Sequence, residues 1–421
     1  MTRHFPWLAG ALILAACDTT PTYPPQSTTS PVPLAGLSTD IPATSAGRPS
    51  YTTGATDTRS NLRALTATPV IRVYQDEMPW FGANRAHTTL VTAPPSGLGK
   101  TLGSDYFIHP LADLALGIPS GTAVVLITSN SEGSAAQAAA QSSAPAQAAL
   151  AAFLEDGGKL IVDMGDNLDP GGFVAPGASG TPDLIFPDPQ DDATLTAEAA
   201  GHPIVVGPDG VAGGGDDLDN TNIDACCFVA HGNLETGITL PADALPLMTA
   251  TFEGVQRSIF AEYCVGAGLV ILETNTKEFG GQQPTGTGAG LLMRNLFSYA
   301  LDSRTSCVVT VDLDIKPGSS ENPVNLGSRG LIPVAILTTA DLDATTIDPT
   351  SVRFGPGAAH EAHGTGHPAD VDADGDTDLV LHFSTQASGL TAGASEACVD
   401  GNTFDGQLIH GCDLIRIVPD R

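Results

Sequence analysis

The stretch His367–Phe383, HPADVDADGDTDLVLHF, restricts the fold more than any other part of the chain. Asp370, Asp372 and Asp374 alternate, Gly375 follows Asp374, and Asp376 and Asp378 complete the set. Five aspartates in so short a run repel one another strongly unless something neutralises them. The carboxylates of Asp370, Asp372, Asp374 and Asp378, together with the carbonyl of Asp376, can converge on one point, which is how a hard cation such as Ca²⁺ is held. Gly375 supplies the permissive backbone of the tight turn. The residues after the loop alternate as a strand does. Ca²⁺ is therefore the expected cofactor, held in a region of β structure.

The spacing follows the opening positions of an EF-hand loop: ligands at the first, third and fifth places, Gly at the sixth, a carbonyl at the seventh and a carboxylate at the ninth. The twelfth place would need a bidentate Glu, and it is Leu381. A strand follows rather than a helix, so the loop is neither an EF-hand nor a dockerin. Water, Asp312 or Asp314 would supply the missing ligands. His360, His363 and His367 lie upstream and His382 downstream. A transition metal would want such imidazoles, with Asp370 as a further ligand. However, AAHEAHGTGHP is Gly-rich and non-helical, so its spacing does not hold the rings together. The expectation is a flexible loop, with His367 and His382 structuring the calcium turn.

With 421 residues the chain has room for two or three domains. It carries 47 Gly and 32 Pro, which favour strands, turns and loops over helices. Its formal net charge is −30, which argues against a nucleic-acid partner, because phosphate binding needs Lys and Arg.

A basic start, a brief apolar run and then Leu14-Ala15-Ala16-Cys17 resemble a bacterial lipoprotein signal. The resemblance implies residues 1–16 as signal peptide, lipidation of Cys17 and a membrane partner through that lipid. Residues 17–67, rich in Thr, Pro and Ser, cannot bury enough surface to fold and read as a tether. Six further cysteines, an even number in an exported chain, favour disulfides. Cys398 and Cys412 flank a turn-rich stretch and are the expected pair; Cys226, Cys227, Cys264 and Cys307 leave the remaining pairings open.

Residues 68–303 alternate strand candidates with helices. The strands expected are Val70–Tyr74, Thr88–Thr92, Ala123–Thr128, Lys159–Asp163, Pro203–Val206, Cys227–Ala230, Leu247–Thr251, Ser258–Glu262 and Gly268–Leu272. Several are short and continuously apolar, as buried parallel strands are. Ser143 can cap a helix that runs to Asp156, with Pro145 in its first turn and Gly157 as its stop. Gly290–Leu301 reads as a second helix. The runs AVVLITSN, FLEDGGKLIVDMGDN, GHPIVVGPDG, EYCVGAGLVILETN and RNLFSYAL resemble class I glutamine-amidotransferase-like domains of the trehalose-utilisation type. That resemblance implies an α/β parallel-sheet domain. Where the family has its nucleophilic Cys, this chain has Thr128-Ser129-Asn130. A pocket would lie at the carboxyl ends of the parallel strands, beside Asn130, Asp166, Asn167, His231 and Glu273.

Three weaker features read as bland. The acidic run Gly213–Asn220 is expected to be a solvated loop. Gly286–Gly290 lacks the spacing of a nucleotide site. Cys226 and Cys227 near His231 read as disulfide cysteines rather than nucleophiles.

Residues 304–421 hold β-rich runs at Val308–Ile315, Leu331–Leu337, Ser351–Phe354, Asp378–Phe383 and Asp413–Val418, which predict an all-β sandwich. The sequence from VDLDIKPGSS through the acidic loop to LIRIVP resembles an accessory domain of secreted bacterial and archaeal proteins. The whole reads as a lipid-anchored, calcium-stabilised envelope protein with a binding or structural task and a protein or glycan partner. The alternative is a hydrolase acting on an envelope or carbohydrate-related substrate through residues 68–303.

Overall fold

The structure, a computed structural model, describes residues 69–75, 85–128, 143–164, 173–183, 185–188, 192–210, 212–213, 215–223, 229–275, 288–302, 305–339, 342–404 and 406–418. Cys17 and the tether lie outside them, as do Asn130, Asp166, Asn167, Cys226 and Cys227.

The first sheet contains β1 (Val70–Tyr74), β2 (Tyr106–His109), β3 (Thr122–Ile127), β4 (Lys159–Asp163), β5 (Thr194–Leu195), β6 (Leu245–Phe252), β7 (Val255–Val265) and β8 (Gly268–Glu273). Their order is β2-β1-β3-β4-β8-β7-β6-β5. The first five in that order run parallel, and the last three pair antiparallel. In β8 every residue of GLVILE is buried, as a strand covered on both faces must be. Full burial of Leu269, Ile271 or Leu272 stabilises by about 1.5–3 kcal/mol each. The strand-helix-strand order expected around residues 123–163 is present: β3 and β4 are parallel neighbours joined through a helix, Ala144–Glu155.

Among the described residues four helices cover this sheet: α1 (Arg85–Val91), α2 (Ala144–Glu155), α3 (Pro203–Val206) and α4 (Gly288–Leu301). The Ser143 side chain accepts a hydrogen bond from the Ala146 N–H, Pro145 lies in the first turn of α2, and Gly157 follows its end at φ +81°. Leu150, Phe153 and Leu154 form its buried stripe. A Cβ on Gly268 would lie 2.6 Å from the Leu154 carbonyl oxygen, so this glycine lets α2 sit directly on β8.

Two expected strands are helical. Of Thr88–Thr92, residues 88–91 belong to α1, where Ala86 and Leu90, four residues apart, are both fully buried. The β-branched run suggested a strand, but burial of one helical face prevails. Pro203–Val206 forms one turn, α3, because His202 caps it and Pro203 presets its first residue. Of Cys227–Ala230, Ala230 makes a single bridge to Asn275.

From Val308 onward the chain is β structure: β9 (Val308–Thr310), β10 (Leu313–Ile315), β11 (Pro323–Asn325), β12 (Leu331–Ile336), β13 (Arg353–Phe354), β14 (Ala359–His360), β15 (His367–Ala369), β16 (Asp378–Ser384), β17 (Glu396–Asn402), β18 (Leu408–Leu414) and β19 (Arg416–Val418). One sheet is ordered β9-β18-β17-β13-β14, another β10-β12-β16-β15, and β11 pairs with β19. The run Val308–Ile315 is divided between the first two sheets, which share one core containing Val309, Val334, Leu381, Phe383 and Val399.

Cys398 and Cys412 face each other across β17 and β18 and are bonded, as the sequence led us to expect. A second disulfide joins Cys264 on β7 to Cys307, just ahead of β9. Two disulfides point to a non-reducing, extracytoplasmic setting. Among the described residues no helix is long and apolar enough to cross a membrane.

Candidate metal centre

The acidic loop is the connection of the β15–β16 hairpin, whose register pairs Ala369 with Asp378. Alternation along β16 sends Leu379, Leu381 and Phe383 into the core, where Phe383 stacks on Phe354 at 5.2 Å. Asp378 opens the strand and is fully buried. Its Oδ2 accepts from the Val371 N–H at 2.7 Å and its Oδ1 from the Thr338 N–H at 2.8 Å. The same carboxylate thus closes the loop and ties it to the segment after β12.

Within the loop, Asp372 Oδ1 accepts from the Asp374 N–H at 3.2 Å, and Asp374 Oδ1 from the Asp376 N–H at 3.0 Å. These bonds curl the backbone so that alternate carboxylates turn inward. Gly375 sits at φ +101°, a region that favours glycine, as the sequence required. Carboxylate oxygens of Asp370, Asp372 and Asp374 lie within 4.8 Å of one another, and so do those of Asp372, Asp376 and Asp378. Asp372 belongs to both trios. The sequence reading enlisted the carbonyl of Asp376; the structure places its carboxylate in the second trio. Neither Asp312 nor Asp314 joins these groups.

Among the described residues no Lys or Arg forms an ion pair with the five aspartates. Asp376 Oδ1 is shut off from solvent without a hydrogen-bond partner. Burial and the neighbouring carboxylates push the Asp376 carboxyl up to about 6. Asp374 is held below its ordinary value, chiefly by the Asp376 N–H. An all-oxygen set of this kind suits a hard cation.

Beside the loop, where a bend meets the hairpin stem, the structure brings together three of the four histidines noted in the sequence. His363, His367 and His382 have ring centroids 5.1–5.2 Å apart. The intervening Gly-rich segment, expected to be flexible, is folded. Glu361 anchors it: this buried carboxylate accepts from the N–H groups of His363, Thr365 and His382. His360 is elsewhere, on β14 opposite Arg353.

At the carboxyl ends of the parallel strands, Glu273 is fully buried and accepts from Asn275 Nδ2 at 2.9 Å. The His231 N–H donates to the Thr274 carbonyl at 2.9 Å, and the Phe186 ring meets the imidazole edge-on. The backbone segments carrying His231 and Glu273 are therefore joined. A groove of about 380 Å³ lined by Leu234, Ile238, Leu240 and Ala261 includes neither residue. In the acidic run near residue 216, Asp216 meets Arg294 at 3.4 Å, and Asp219 accepts from the Thr221 and Asn222 N–H groups. These two carboxylates are already partnered, while Leu218 and Asp217 Oδ1 in the same run are buried.

A buried polar group escaped the sequence reading. His202 Nδ1 accepts from the Ile204 N–H, so its proton sits on Nε2 and is donated to Glu262 Oε1 at 3.0 Å. The Tyr299 hydroxyl donates to Glu262 Oε2 at 2.9 Å. All three residues are buried. The signal available was a single acid in the otherwise apolar core run SIFAEYC.

No protein-family model and no curated protein matches the chain. Among solved structures it is similar to a β-galactosidase from Bacillus circulans sp. alkalophilus (TM-score 0.30, 8% identity, 76% of this chain and 42% of that one). It is also similar to a cytoplasmic protein of Salmonella typhimurium (TM-score 0.31, 13% identity, 54% and 98%). A third likeness is to a ThuA-like protein of Bacteroides uniformis (TM-score 0.29, 12% identity, 57% and 94%). The chain spans less than half the galactosidase. The ThuA-like protein is of the trehalose-utilisation kind that the middle of the sequence resembles, but at these TM-scores none of the three carries an argument about chemistry.

Proposed function

We propose that this chain is a lipid-anchored protein of the cell envelope whose β15–β16 hairpin binds Ca²⁺, and that its task is binding or structural rather than catalytic. One observation carries the reading: two carboxylate trios share Asp372, lack a Lys or Arg counter-charge among the described residues, and leave Asp376 Oδ1 enclosed and unpartnered. An unneutralised cluster of this kind is self-repelling, and a hard divalent ion removes the repulsion. Asp370, Asp372, Asp374, Asp376 and Asp378 would hold the ion, which supplies charge and crosslinking.

The remaining parts of the proposal rest on the sequence. Cys17 in Leu-Ala-Ala-Cys would carry the lipid, and residues 17–67 would span from membrane to folded part. The α/β part resembles glutamine-amidotransferase-like domains but has Thr128-Ser129-Asn130 in place of the nucleophile. The β part, with two sheets around one core, is read as a sandwich that accommodates the calcium hairpin.

Metal analysis of dialysed protein should find calcium, and chelation should lower the melting temperature in a way that only Ca²⁺ reverses. Asp374→Ala should remove that dependence. A melting temperature indifferent to both chelator and Ca²⁺ refutes the calcium site. Lipid labelling that survives Cys17→Ser refutes the anchor.

A further inference from the structure

We infer that His363, His367 and His382 form a second metal site, separate from the acidic loop and selective for a borderline transition-metal ion such as Zn²⁺. The three rings come from three backbone positions, a bend and two paired strands, yet their centroids form a nearly equilateral triangle with sides of 5.1–5.2 Å. One ligand nitrogen from each lies within 4.8 Å of the other two. His363 Nδ1 and His367 Nε2 are 3.1 Å apart. Nitrogens at two corners of a tetrahedral zinc site, each about 2.0–2.1 Å from the metal, stand roughly 3.4 Å apart, so this pair needs only a small outward shift.

The support beneath the rings is built in. Glu361 Oε2 accepts from the His363 and Thr365 N–H groups, its Oε1 accepts from the His382 N–H, and Oε1 stands 3.6 Å from His363 Nδ1. The Ala362 N–H donates to the His382 carbonyl at 2.8 Å. These bonds lock the bend onto β16 and hold the backbone of His363 and His382 in place. His382 Nδ1 is enclosed and has no hydrogen-bond partner. An unpartnered buried nitrogen is destabilising, and a bound cation offsets the loss when it engages the ring.

The ligand chemistry separates the two sites on one hairpin. Imidazole suits zinc, copper and nickel, whereas carboxylate oxygens suit calcium. His363 and His367 face solvent, so three protein ligands would leave a position for water or an outside ligand, as in open zinc sites. The inference does not depend on calcium binding in the loop.

The test is titration of the tag-free full chain with Co²⁺ as a spectroscopic stand-in, in the presence of excess Ca²⁺. One equivalent should produce the intense visible bands of four-coordinate cobalt, and Zn²⁺ should abolish them. His363→Ala, at an exposed position where folding is not at stake, should eliminate the bands, and His382→Ala should do the same. Glu361→Gln should weaken binding about 10–100-fold, while His360→Ala, on β14, should leave it unchanged. Absence of four-coordinate bands in the wild type, survival of the bands in His363→Ala, or their loss in His360→Ala would each overturn the site.

Discussion

Two polar clusters in this chain have opposite designs. In the α/β part, Glu262 lies at the centre of a closed set: His202 and Tyr299 each donate to one of its oxygens, and the whole is buried. In the β part, Asp370–Asp378 and the adjacent histidines are gathered just as closely but left open. Carboxylates face carboxylates, Asp376 Oδ1 and His382 Nδ1 have no partner, and several of the groups reach solvent. A cluster whose donors and acceptors match is complete as it stands and specifies packing. A cluster of like-charged or acceptor-rich groups is complete only with something added, which is why the second and not the first is the candidate functional site.

The comparison predicts unequal responses. Glu262→Ala removes the shared acceptor and strands the neutral donors of His202 and Tyr299, so it should lower unfolding free energy by about 1–3 kcal/mol for each stranded donor in denaturant titration, with or without Ca²⁺. Glu262→Gln keeps an acceptor and should lose less. If Glu262→Ala were harmless, the closed cluster would not be structural.

The Cys264–Cys307 disulfide joins β7, which also carries Glu262, to the start of the β part. Removing it should cost about 4 kcal/mol in the chain-entropy model, against about 3 kcal/mol for Cys398–Cys412, which closes a shorter loop. Loss of the long-range bridge should also separate the melting of the two regions in calorimetry; a single unchanged transition would show that packing alone couples them.

Calcium at about a hundred times its dissociation constant should stabilise by about 2.7 kcal/mol, and the effect should vanish in Asp374→Ala but persist in Glu262→Gln. Equal dependence on Ca²⁺ in both variants would erase the contrast between open and closed clusters.

The smallest effect concerns pH. Asp400 accepts a hydrogen bond from His410 at 2.6 Å and raises the histidine above its ordinary 6.5. The stabilisation is fully present below that ordinary value and is lost as pH rises through the raised one. Asp400 is largely exposed, so screening keeps the contribution below about 1 kcal/mol. Melting curves for wild type and Asp400→Asn should diverge on the acidic side and converge at alkaline pH; parallel curves would rule the pair out.

Local physics made much of this protein readable. The run GLVIL is continuously apolar and reads as a buried strand. Ser143, Pro145 and Gly157 mark the ends of α2 because caps and stops act within a few residues. The spacing of Asp370–Asp378 makes a curled loop that gathers its carboxylates for the same reason. Where tertiary burial outweighs propensity, sequence pattern failed: residues 88–91 of the expected strand became part of α1 because Ala86 and Leu90 found a core to enter.

What only the tertiary structure decided is the meeting of groups distant along the chain. Cys264 pairs with Cys307 across 43 residues, and Glu262 meets His202 across 60. His382 joins His363 and His367 because β15 and β16 pair in one register and Glu361 pins the bend ahead of β15. No spacing encodes these encounters; strand pairing and sheet order do. The sequence by itself thus determined the acidic loop, a local object set by alternation and one glycine. The histidine triangle beside it exists only because a hairpin closes, since imidazoles on a Gly-rich segment acquire fixed positions only from the backbone bonds that hold that segment down.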